Sequence, residues 1–381
     1  MTKPRLRVMC VFGTRPEVIK MAPVILELKR RTEQFECITC ATAQHRRMLD
    51  QALAIWDLRP DIDLNVMQEN QTPTQVMARV LTRLEPVLME QRPDWILAQG
   101  DTTTVAASAI AAHHARIMIG HVEAGLRTTD KWNPFPEEMN RVITDAVSDL
   151  CFAPTDRARQ ALRREGIADD VIRVTGNTVI DALLEVAQRN WQPDNTSPVY
   201  NLPNAKQLIL VTAHRRENFG EPLHRICAAL EHIAQRTDTH IVYPVHPNPQ
   251  VRETVSAHLA RHAGITLLPP LNYLEIVYLL QRSTLVLTDS GGLQEEAPSL
   301  GKPVLVMREV SERPEAIEAG TAALVGTSTD EIVARVDELL DQPEVYRRMA
   351  CQSNPYGDGR AAARIADALL EYVGRNTNRA K

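Results

Sequence analysis

The sequence predicts an α/β protein built from two doubly wound domains, each with a parallel sheet. Short apolar runs, typical of the buried strands of parallel sheets, alternate with segments of helical period. This alternation stops at residues 192–206, a stretch rich in Pro, Asn and Ser that is typical of a linker, and starts again at Leu208. The length of 381 residues suits two domains of ordinary size. We therefore expect domains at residues 1–190 and 191–358.

The first domain begins with an apolar strand, residues 6–12, followed by the turn Gly13-Thr14-Arg15. Pro16 suits the first turn of the helix that comes next, and the apolar residues of that helix recur with a helical period that faces the sheet. Later strands are predicted at residues 35–41, 94–99, 117–121, 150–153 and 171–175. The helices between them are predicted at residues 45–56, 74–90, 105–115 and 137–148.

The second domain repeats the strand and helix alternation from residue 208 onward. Its strands are predicted at residues 208–212, 241–245, 265–268, 285–288, 303–307 and 322–325. Strands joined by helical crossovers form parallel sheets covered on both faces. Such sheets bind ligands at the carboxyl ends of their strands, and two facing domains form a deep cleft.

Composition and charge exclude several classes of function. The chain is 44% hydrophobic and 24% charged with a net charge of -5, which is ordinary for a soluble globular protein and gives no support to nucleic acid or an anionic membrane as the partner. The apolar run Val8–Phe12 stops at Gly13 and is too short for a signal peptide or a membrane span. We therefore expect a cytoplasmic protein.

The sequence predicts neither a cofactor nor a metal. No G-x-G-x-x-G follows a strand, so a bound dinucleotide is not supported, and the P-loop motif of ATPases is missing as well. The pair Cys37 and Cys40 has no second pair, and His258 and His262 have no third ligand. The string Asp61-Ile62-Asp63 is interpreted as an incidental part of a loop.

The turn Asp289-Ser-Gly-Gly292 joins an apolar strand to a helix. Gly291 and Gly292 let a ligand approach the backbone, and the helix N-terminus favours an anion, above all phosphate. Ser290 can cap the helix or bind the same anion, and Glu296, one turn on, suits a ribose diol. The turn therefore indicates a nucleotide diphosphate site, although an ordinary capped helix explains these residues equally well.

Charged and polar residues gather at the predicted strand ends of both domains. In the first domain these are Arg15, Lys20, Asp101, Glu123 and Glu137, and in the second they are His214, Arg215, Arg216, Ser290, Arg308 and Arg313. Each has an ordinary structural explanation, such as a helix cap or a surface ion pair. Their shared location favours an anionic ligand combined with acid–base chemistry.

Eleven motifs in one order, spread over nearly the whole chain, resemble those of the bacterial non-hydrolysing UDP-N-acetylglucosamine 2-epimerases. They lie at residues 12–23, 42–46, 100–104, 121–128, 136–138, 176–181, 212–218, 289–298, 301–304, 312–315 and 354–359. The resemblance implies the GT-B fold, two Rossmann-like domains around a cleft. It also implies a homodimer and a last helix, about residues 359–381, that returns to the first domain.

The resemblance implies reversible conversion of UDP-GlcNAc to UDP-ManNAc without NAD, which supplies ManNAc-type sugars for surface polysaccharide. UDP is eliminated across C1 and C2 to leave 2-acetamidoglucal and is then added back. Removal of the C2 proton becomes feasible only as positive charge builds at C1, so leaving-group stabilisation and a base must act together.

The family's functional residues can be carried over to matching positions of this chain. Asp101, Glu123 and Glu137 resemble the catalytic acids and bases, without an indication of which one takes the C2 proton, and His214 resembles the histidine that meets the departing UDP. Arg15 and Lys20 resemble basic residues of the site. Ser290, Gly291 and Gly292 resemble the pyrophosphate cradle, Glu296 the ribose ligand and Arg313 a further contact to UDP.

A second, activating UDP-GlcNAc site is implied with lower weight by Gln44, His45, Arg215 and His246. Three alternatives stay open on the sequence: a GT-B glycosyltransferase, an epimerase of a substituted UDP-GlcNAc, and a non-catalytic nucleotide-sugar sensor. A glycosyltransferase has no pressing use for three carboxylates in the first domain, and a sensor has no use for the full acid–base set.

Overall fold

The computed structural model describes residues 5–43 and 46–379. The chain divides into two compact units, Met1–Ala182 together with Tyr356–Lys381, and Leu183–Pro355. Each unit contains one parallel sheet with helices in the crossovers. The predicted fold class, two doubly wound α/β domains, is confirmed.

The first unit's sheet has seven strands within the described residues, in the order β3-β2-β1-β4-β5-β6-β7. The strands are β1 Leu6–Phe12, β2 Phe35–Ala41, β3 Ile62–Asp63, β4 Trp95–Gln99, β5 Met118–Val122, β6 Leu150–Ala153 and β7 Ile172–Val174. The helices are α1 Arg15–Arg30, α2 Arg46–Ile55, α3 Pro73–Gln91, α4 Thr103–His114, α5 Glu137–Val147, α6 Asp156–Arg164, α7 Thr178–Gln188 (which runs on into the second unit) and the last helix, α15 Ala361–Arg379.

The core of the first unit explains why its central strands are apolar throughout. Strand β1 pairs with both β2 and β4, and its residues from Val8 to Phe12 are buried. On one face, α3 buries the helical series Val76, Val80, Leu84 and Leu88 against α4 and the sheet. A strand covered on both faces has no polar face, which is why the sequence showed runs rather than alternation.

The string Asp61-Ile62-Asp63 was predicted to lie in a loop, and that prediction was wrong. Ile62 and Asp63 form the short edge strand β3, paired with Cys40 and Ala41 of β2. Asp61 accepts hydrogen bonds from the backbone N–H of Thr39 at 2.7 Å and from its hydroxyl at 2.6 Å. The string therefore extends the sheet edge, and its two-residue length is why no strand pattern was visible.

The last helix, α15, belongs to the first unit through specific contacts. The Asp181 carboxylate accepts hydrogen bonds from the backbone N–H groups of Ala361 at 3.1 Å and Ala362 at 2.8 Å, which caps the helix N-terminus. Further along, Arg31, directly after α1, pairs with Asp367 at 2.5 Å, and the Trp95 and Tyr372 rings meet edge to face at 5.1 Å. The end of the chain is thus part of this unit's fold.

The Asp181 cap is expected to make stability depend on pH. Burial raises the pKa of Asp181 to about 6, although the two backbone N–H groups oppose the shift. Because the folded state then binds more protons than the unfolded state between about pH 4 and 6, the contribution of Asp181 to stability falls as pH rises through that window. We expect the free energy of unfolding of wild type, measured relative to Asp181→Asn by urea titration, to drop by about 2 kcal/mol from pH 4 to pH 6.5. A difference independent of pH would contradict this assignment.

The second unit has a six-stranded sheet within the described residues, in the order β10-β9-β8-β11-β12-β13. Its strands are β8 Gln207–Thr212, β9 Thr239–Pro244, β10 Ile265–Leu268, β11 Leu285–Thr288, β12 Val304–Val306 and β13 Ala322–Leu324. Its helices are α8 Glu221–Ile233, α9 Pro249–Leu259, α10 Tyr273–Arg282, α11 Gly291–Glu296, α12 Pro314–Glu318, α13 Thr329–Asp341 and α14 Pro343–Ala350. Apolar residues of α8, α9 and α13 pack against the sheet in one core.

None of the described helices is both long and apolar enough to cross a membrane.

Candidate functional site

The predicted acidic residues of the first unit lie where strands β4 and β5 end and where α5 begins. Asp101 comes two residues after β4, Glu123 directly follows β5, and Glu137 is the first residue of α5. Strands β4 and β5 are parallel neighbours, so their carboxyl ends meet at the same edge of the sheet. The predicted basic residue Arg15 begins α1, after β1, the neighbour of β4 on its other side.

Glu123 is the most strongly held of these residues. It is 7% exposed, and its backbone has a left-handed φ of 69°, uncommon for a residue other than glycine. The Lys20 ammonium lies 2.7 Å from both carboxylate oxygens, the Asn177 amide donates to Oε1 at 2.9 Å, and the Gln99 amide donates to Oε2. A carboxylate that accepts this many hydrogen bonds is stabilised in its ionised form. The predicted ligand residue Lys20 is therefore the counter-ion of Glu123 in this structure.

Asp101 and Glu137 differ from Glu123 in how firmly they are held. The Asp101 carboxylate accepts a hydrogen bond from Arg141 at 2.6 Å, and its side chain is 32% exposed. Its backbone carbonyl accepts from the Asn140 amide at 3.0 Å. Within residues 5–43 and 46–379, the side chains of Glu137 and Arg15 have no hydrogen-bond or ion-pair partner, which leaves both available to a ligand.

Buried Glu17 supports the loop that carries Asp101. Its carboxylate accepts from the backbone N–H groups of Gly13 and Thr14, the latter at 3.1 Å, and from the Thr102 hydroxyl at 2.5 Å. Burial raises the pKa of Glu17 in spite of these hydrogen bonds. The residue ties the turn after β1 to the turn after β4. The spacing of Thr14 and Glu17, typical of a capping box at the start of α1, is the sequence signal for Glu17. It does not indicate the contact with Thr102.

His121 also supports the loop that carries Asp101. Its ring Nδ1 lies 2.5 Å from Asp145 Oδ1, and Nε2 lies 2.7 Å from the carbonyl oxygen of Gly100, the residue before Asp101. Both partners are hydrogen-bond acceptors, so the ring ties the turn after β4 to Asp145 of α5. Burial acts to raise the pKa of Asp145, but the His121 ring and the Arg127 guanidinium lower it overall. Neither His121 nor Asp145 has a role predicted from the sequence.

In the second unit, Asp289 organises the loop after β8. It is fully buried, and its Oδ2 accepts from the backbone N–H groups of His214 and Arg215, both at 2.8 Å, and from the Asn218 amide at 3.0 Å. Asp289 Oδ1 lies 3.4 Å from His214 Nδ1. The first residue of the predicted phosphate turn thus sets the position of the predicted catalytic histidine.

Burial has a larger effect on the pKa of His214 than any neighbouring charge has. Burial lowers its pKa, the Asp289 carboxylate opposes that shift, and His246 and Arg215 reinforce it. The His214 and His246 rings stack with their centroids 5.4 Å apart and their planes at 16°. A negatively charged ligand beside His214 would favour its protonated form.

The predicted phosphate turn begins helix α11. Ser290 occupies the position before the helix, but its side chain makes no capping hydrogen bond there, and Gly292 is exposed. The Glu296 carboxylate is 7% exposed and accepts from the Tyr273 hydroxyl at 2.9 Å. Burial, reinforced by Glu296, raises the pKa of Tyr273 well above its usual value, so that the phenol remains a donor.

Two arginines, Arg215 and Arg313, adjoin the start of α11, and Glu312 links Arg215 to a third, Arg308. A Cβ placed on Gly291 would lie 3.6 Å from Arg215 Nη2 and 3.8 Å from Arg313 Cζ, so both guanidinium groups adjoin the turn. Arg313 also donates to the buried Glu295 carboxylate. Arg215 and Arg308 both pair with Glu312 at 3.3 Å. Neither Glu295 nor Glu312 has a role predicted from the sequence.

The residues predicted for an activating site fall into two groups. Arg215 adjoins Gly291, and His246 stacks on His214, so both contact residues predicted for the catalytic site. Gln44 and His45 lie outside the described residues.

His258, one of the histidines considered as a metal ligand, pairs instead with His224 at 2.9 Å and lies 3.4 Å from Glu231. In the described ranges no group of three or more His, Cys, Asp or Glu residues is placed to hold a metal ion.

Comparisons with known proteins find relatives that match nearly the whole chain. The profile of the family described as UDP-N-acetylglucosamine 2-epimerase matches residues 27–370. The UDP-N-acetylglucosamine 2-epimerase of Salmonella typhimurium strain LT2 is 51% identical over 373 residues, which cover 96% of this chain and 99% of the relative. A crystal structure of the Neisseria meningitidis UDP-GlcNAc 2-epimerase bound to UDP-GlcNAc is 43% identical, with a TM-score of 0.86, and the match covers 96% of this chain and 100% of that one.

A more distant structure, the glycosyltransferase of kitacinnamycin, is 14% identical with a TM-score of 0.66, and the match covers 97% of this chain and 99% of that one. At this identity the similarity concerns the fold alone.

Proposed function

This chain belongs to the UDP-N-acetylglucosamine 2-epimerase family, and from that premise we propose that it is an isomerase that interconverts UDP-GlcNAc and UDP-ManNAc. The resemblance and the GT-B fold class expected from the sequence are confirmed. The observation that carries the proposal is the acid–base set at the strand ends of the first unit, above all the buried Glu123 carboxylate and its three donors.

The proposed reaction eliminates UDP and adds it back. The C1–O bond breaks as its electron pair leaves with UDP, the C2 proton passes to a base, and the C1–C2 double bond of 2-acetamidoglucal forms. The return of UDP to C1 and of a proton to the opposite face of C2 gives the epimer. The reaction is balanced without an oxidant or reductant, so NAD has no role in it.

The three carboxylates divide the work according to how they are held. Glu123, with its three donors, stays ionised and fixed. Its negative charge therefore stabilises the positive charge that develops at C1. Asp101 and Glu137 are freer and more accessible, which suits groups that take up and return a proton on two faces of the sugar. Arg15, unpartnered in the described part of the chain, is available to the anionic substrate.

The second unit would hold UDP. Ser290, Gly291 and Gly292 would receive the pyrophosphate, Arg313 would add a charged contact, and Glu296, oriented by Tyr273, would bind the ribose diol. His214 would be neutral in the free protein because burial lowers its pKa, and would gain a proton as the diphosphate arrives. The protonated ring would then stabilise the departing UDP.

The resemblance further supports a cytoplasmic homodimer that is activated by UDP-GlcNAc through Arg215 and His246. Because these two residues adjoin Gly291 and His214, an effector bound to them would act directly on residues of the UDP site. Hyperbolic kinetics for UDP-GlcNAc, together with turnover of UDP-ManNAc alone, would contradict activation. Sedimentation equilibrium tests the dimer.

The activity itself is tested by proton NMR of UDP-GlcNAc with the purified protein in D2O and no added cofactor. We expect UDP-ManNAc to appear and deuterium to enter C2 of both sugars, because the C2 proton exchanges with solvent while held by the enzyme. A sample inactivated by Asp101→Asn serves as the control. Sugar that stays intact and undeuterated would contradict the proposal for this substrate.

A further inference from the structure

We propose that Glu312 is an internal counter-anion of the arginine cluster, Arg215, Arg308 and Arg313, and that the diphosphate of the nucleotide sugar displaces it. In the ligand-free chain the carboxylate would hold the three guanidinium groups in place, and on release of UDP it would return to them. The inference rests on the proposed function, because UDP is the ligand it invokes.

The geometry places one carboxylate among three guanidinium groups. Glu312 Oε2 lies 3.3 Å from Arg215 Nη2, and Oε1 lies 3.3 Å from Arg308 Nη2. Arg313 donates to the backbone carbonyl of Glu312 at 3.1 Å. Burial acts to raise the pKa of Glu312, but the three arginines lower it overall, so the side chain is a carboxylate. It therefore stands where an anionic ligand of the cluster would stand.

The contacts of Glu312 are the loose ones in this cluster. Charge-assisted N–H···O hydrogen bonds are commonly about 2.7–2.9 Å long, so 3.3 Å to each arginine is long. Arg308 is also held by Glu217, and Arg313 by Glu295, both at shorter distances. The Glu295 side chain is 2% exposed, whereas that of Glu312 is 39% exposed. Glu312 is thus the carboxylate that can leave for solvent.

The cluster also has buried donors without partners. Arg308 is 8% exposed, and its Nη1 is buried without a hydrogen bond, as is the Nε of Arg215. Buried donors of this kind are uncommon and mark the place of a further acceptor. A diphosphate has more acceptor oxygens than one carboxylate, so it can satisfy donors that Glu312 leaves unused.

The position of the cluster links it to the nucleotide site. The same Arg215 Nη2 that contacts Glu312 lies 3.6 Å from a Cβ placed on Gly291, the first residue of α11. A phosphate at that turn would compete with Glu312 for Arg215. Competition of this kind weakens UDP binding and speeds UDP release. When no UDP is bound, the Glu312 carboxylate reduces the repulsion among the three arginines.

The test is the affinity for UDP, measured by calorimetry, and the rate of UDP release, measured by stopped flow, in wild type, Glu312→Gln, Glu312→Asp and Glu309→Gln. Glu309 is exposed on the same loop, and in the described part of the chain its side chain forms no ion pair with the three arginines, so its variant controls for net charge. We expect Glu312→Gln to bind UDP about fivefold more tightly and to release it more slowly, because one partly exposed ion pair no longer competes. Glu312→Asp and Glu309→Gln should stay near wild type.

Each other outcome overturns the inference. If Glu312 only supports the loop, Glu312→Gln will bind UDP more weakly or fail to fold. If its charge is irrelevant, Glu312→Asp will bind as tightly as Glu312→Gln. Wild type that binds no UDP and converts no UDP-GlcNAc would contradict the proposed function itself, and this inference with it. Wild type that is active while Glu312→Gln is no tighter contradicts this inference alone.

Discussion

Glu123→Gln is expected to reduce kcat by about 10³-fold while the Kd for UDP stays within about twofold of wild type. The amide keeps the size of the carboxylate but carries no charge. The positive charge at C1 would therefore lose its stabilisation by Glu123 as the C1–O bond breaks. UDP binding should persist because the proposed UDP ligands all belong to the second unit. The measurements are turnover of UDP-GlcNAc by coupled assay and UDP binding by calorimetry.

The control for this substitution is Glu27→Gln. Glu27 is a carboxylate of the same unit that pairs with Arg30 and Arg31 at the end of α1 and has no proposed role in the reaction. Its variant should retain wild-type kcat. If Glu123→Gln kept more than a tenth of the wild-type rate, Glu123 would not be a catalytic residue of this enzyme.

Lys20→Met is expected to lower the free energy of unfolding by about 3 kcal/mol and to lower kcat at least about 10²-fold. The substitution leaves the Glu123 carboxylate, whose side chain is 4% exposed, without the ammonium that lies 2.7 Å from both of its oxygens. An uncompensated buried charge is strongly destabilising. Without Lys20, the Glu123 carboxylate would therefore take up a proton and lose its charge. Urea denaturation gives the free energy, and the epimerase assay gives kcat.

The double variant Lys20→Met/Glu123→Gln separates the charge effect from loss of packing. With the carboxylate also removed, we expect stability to return to within about 1 kcal/mol of wild type, although activity stays lost. Effects of the two substitutions that simply add would show that the pair is not coupled. Lys20 would then be better described as a residue that only contacts substrate.

The secondary structure could be predicted from the sequence because its signals are local. The strands at residues 6–12 and 35–41 were predicted at their observed bounds, since an apolar run, and for the first strand its end at Gly13, are read from neighbouring residues. The edge strand Ile62–Asp63 was missed because two residues carry no period, and only pairing with β2 makes them a strand.

The candidate site could be predicted only in part, for the same reason. Asp101, Glu123 and Glu137 were found because each lies close to the end of a strand or the start of a helix. Of the three donors that hold Glu123, the two amides were not found, since Gln99 and Asn177 lie 24 and 54 residues away in the chain and nothing local marks them as partners. Glu17, His121 and Asp289 went unassigned because their bonds also span distant loops.

The sequence by itself therefore determined the fold class, the family and the positions where chemistry was expected, because runs, turns and motifs are properties of contiguous residues. Only the tertiary structure decided the state of each group. It made Lys20 the counter-ion of Glu123, left Glu137 unpartnered among the described residues, and brought Glu312 to Arg215, which lies 97 residues earlier in the chain. Protonation and charge depend on burial and on neighbours in space, and these exist only once the chain has folded.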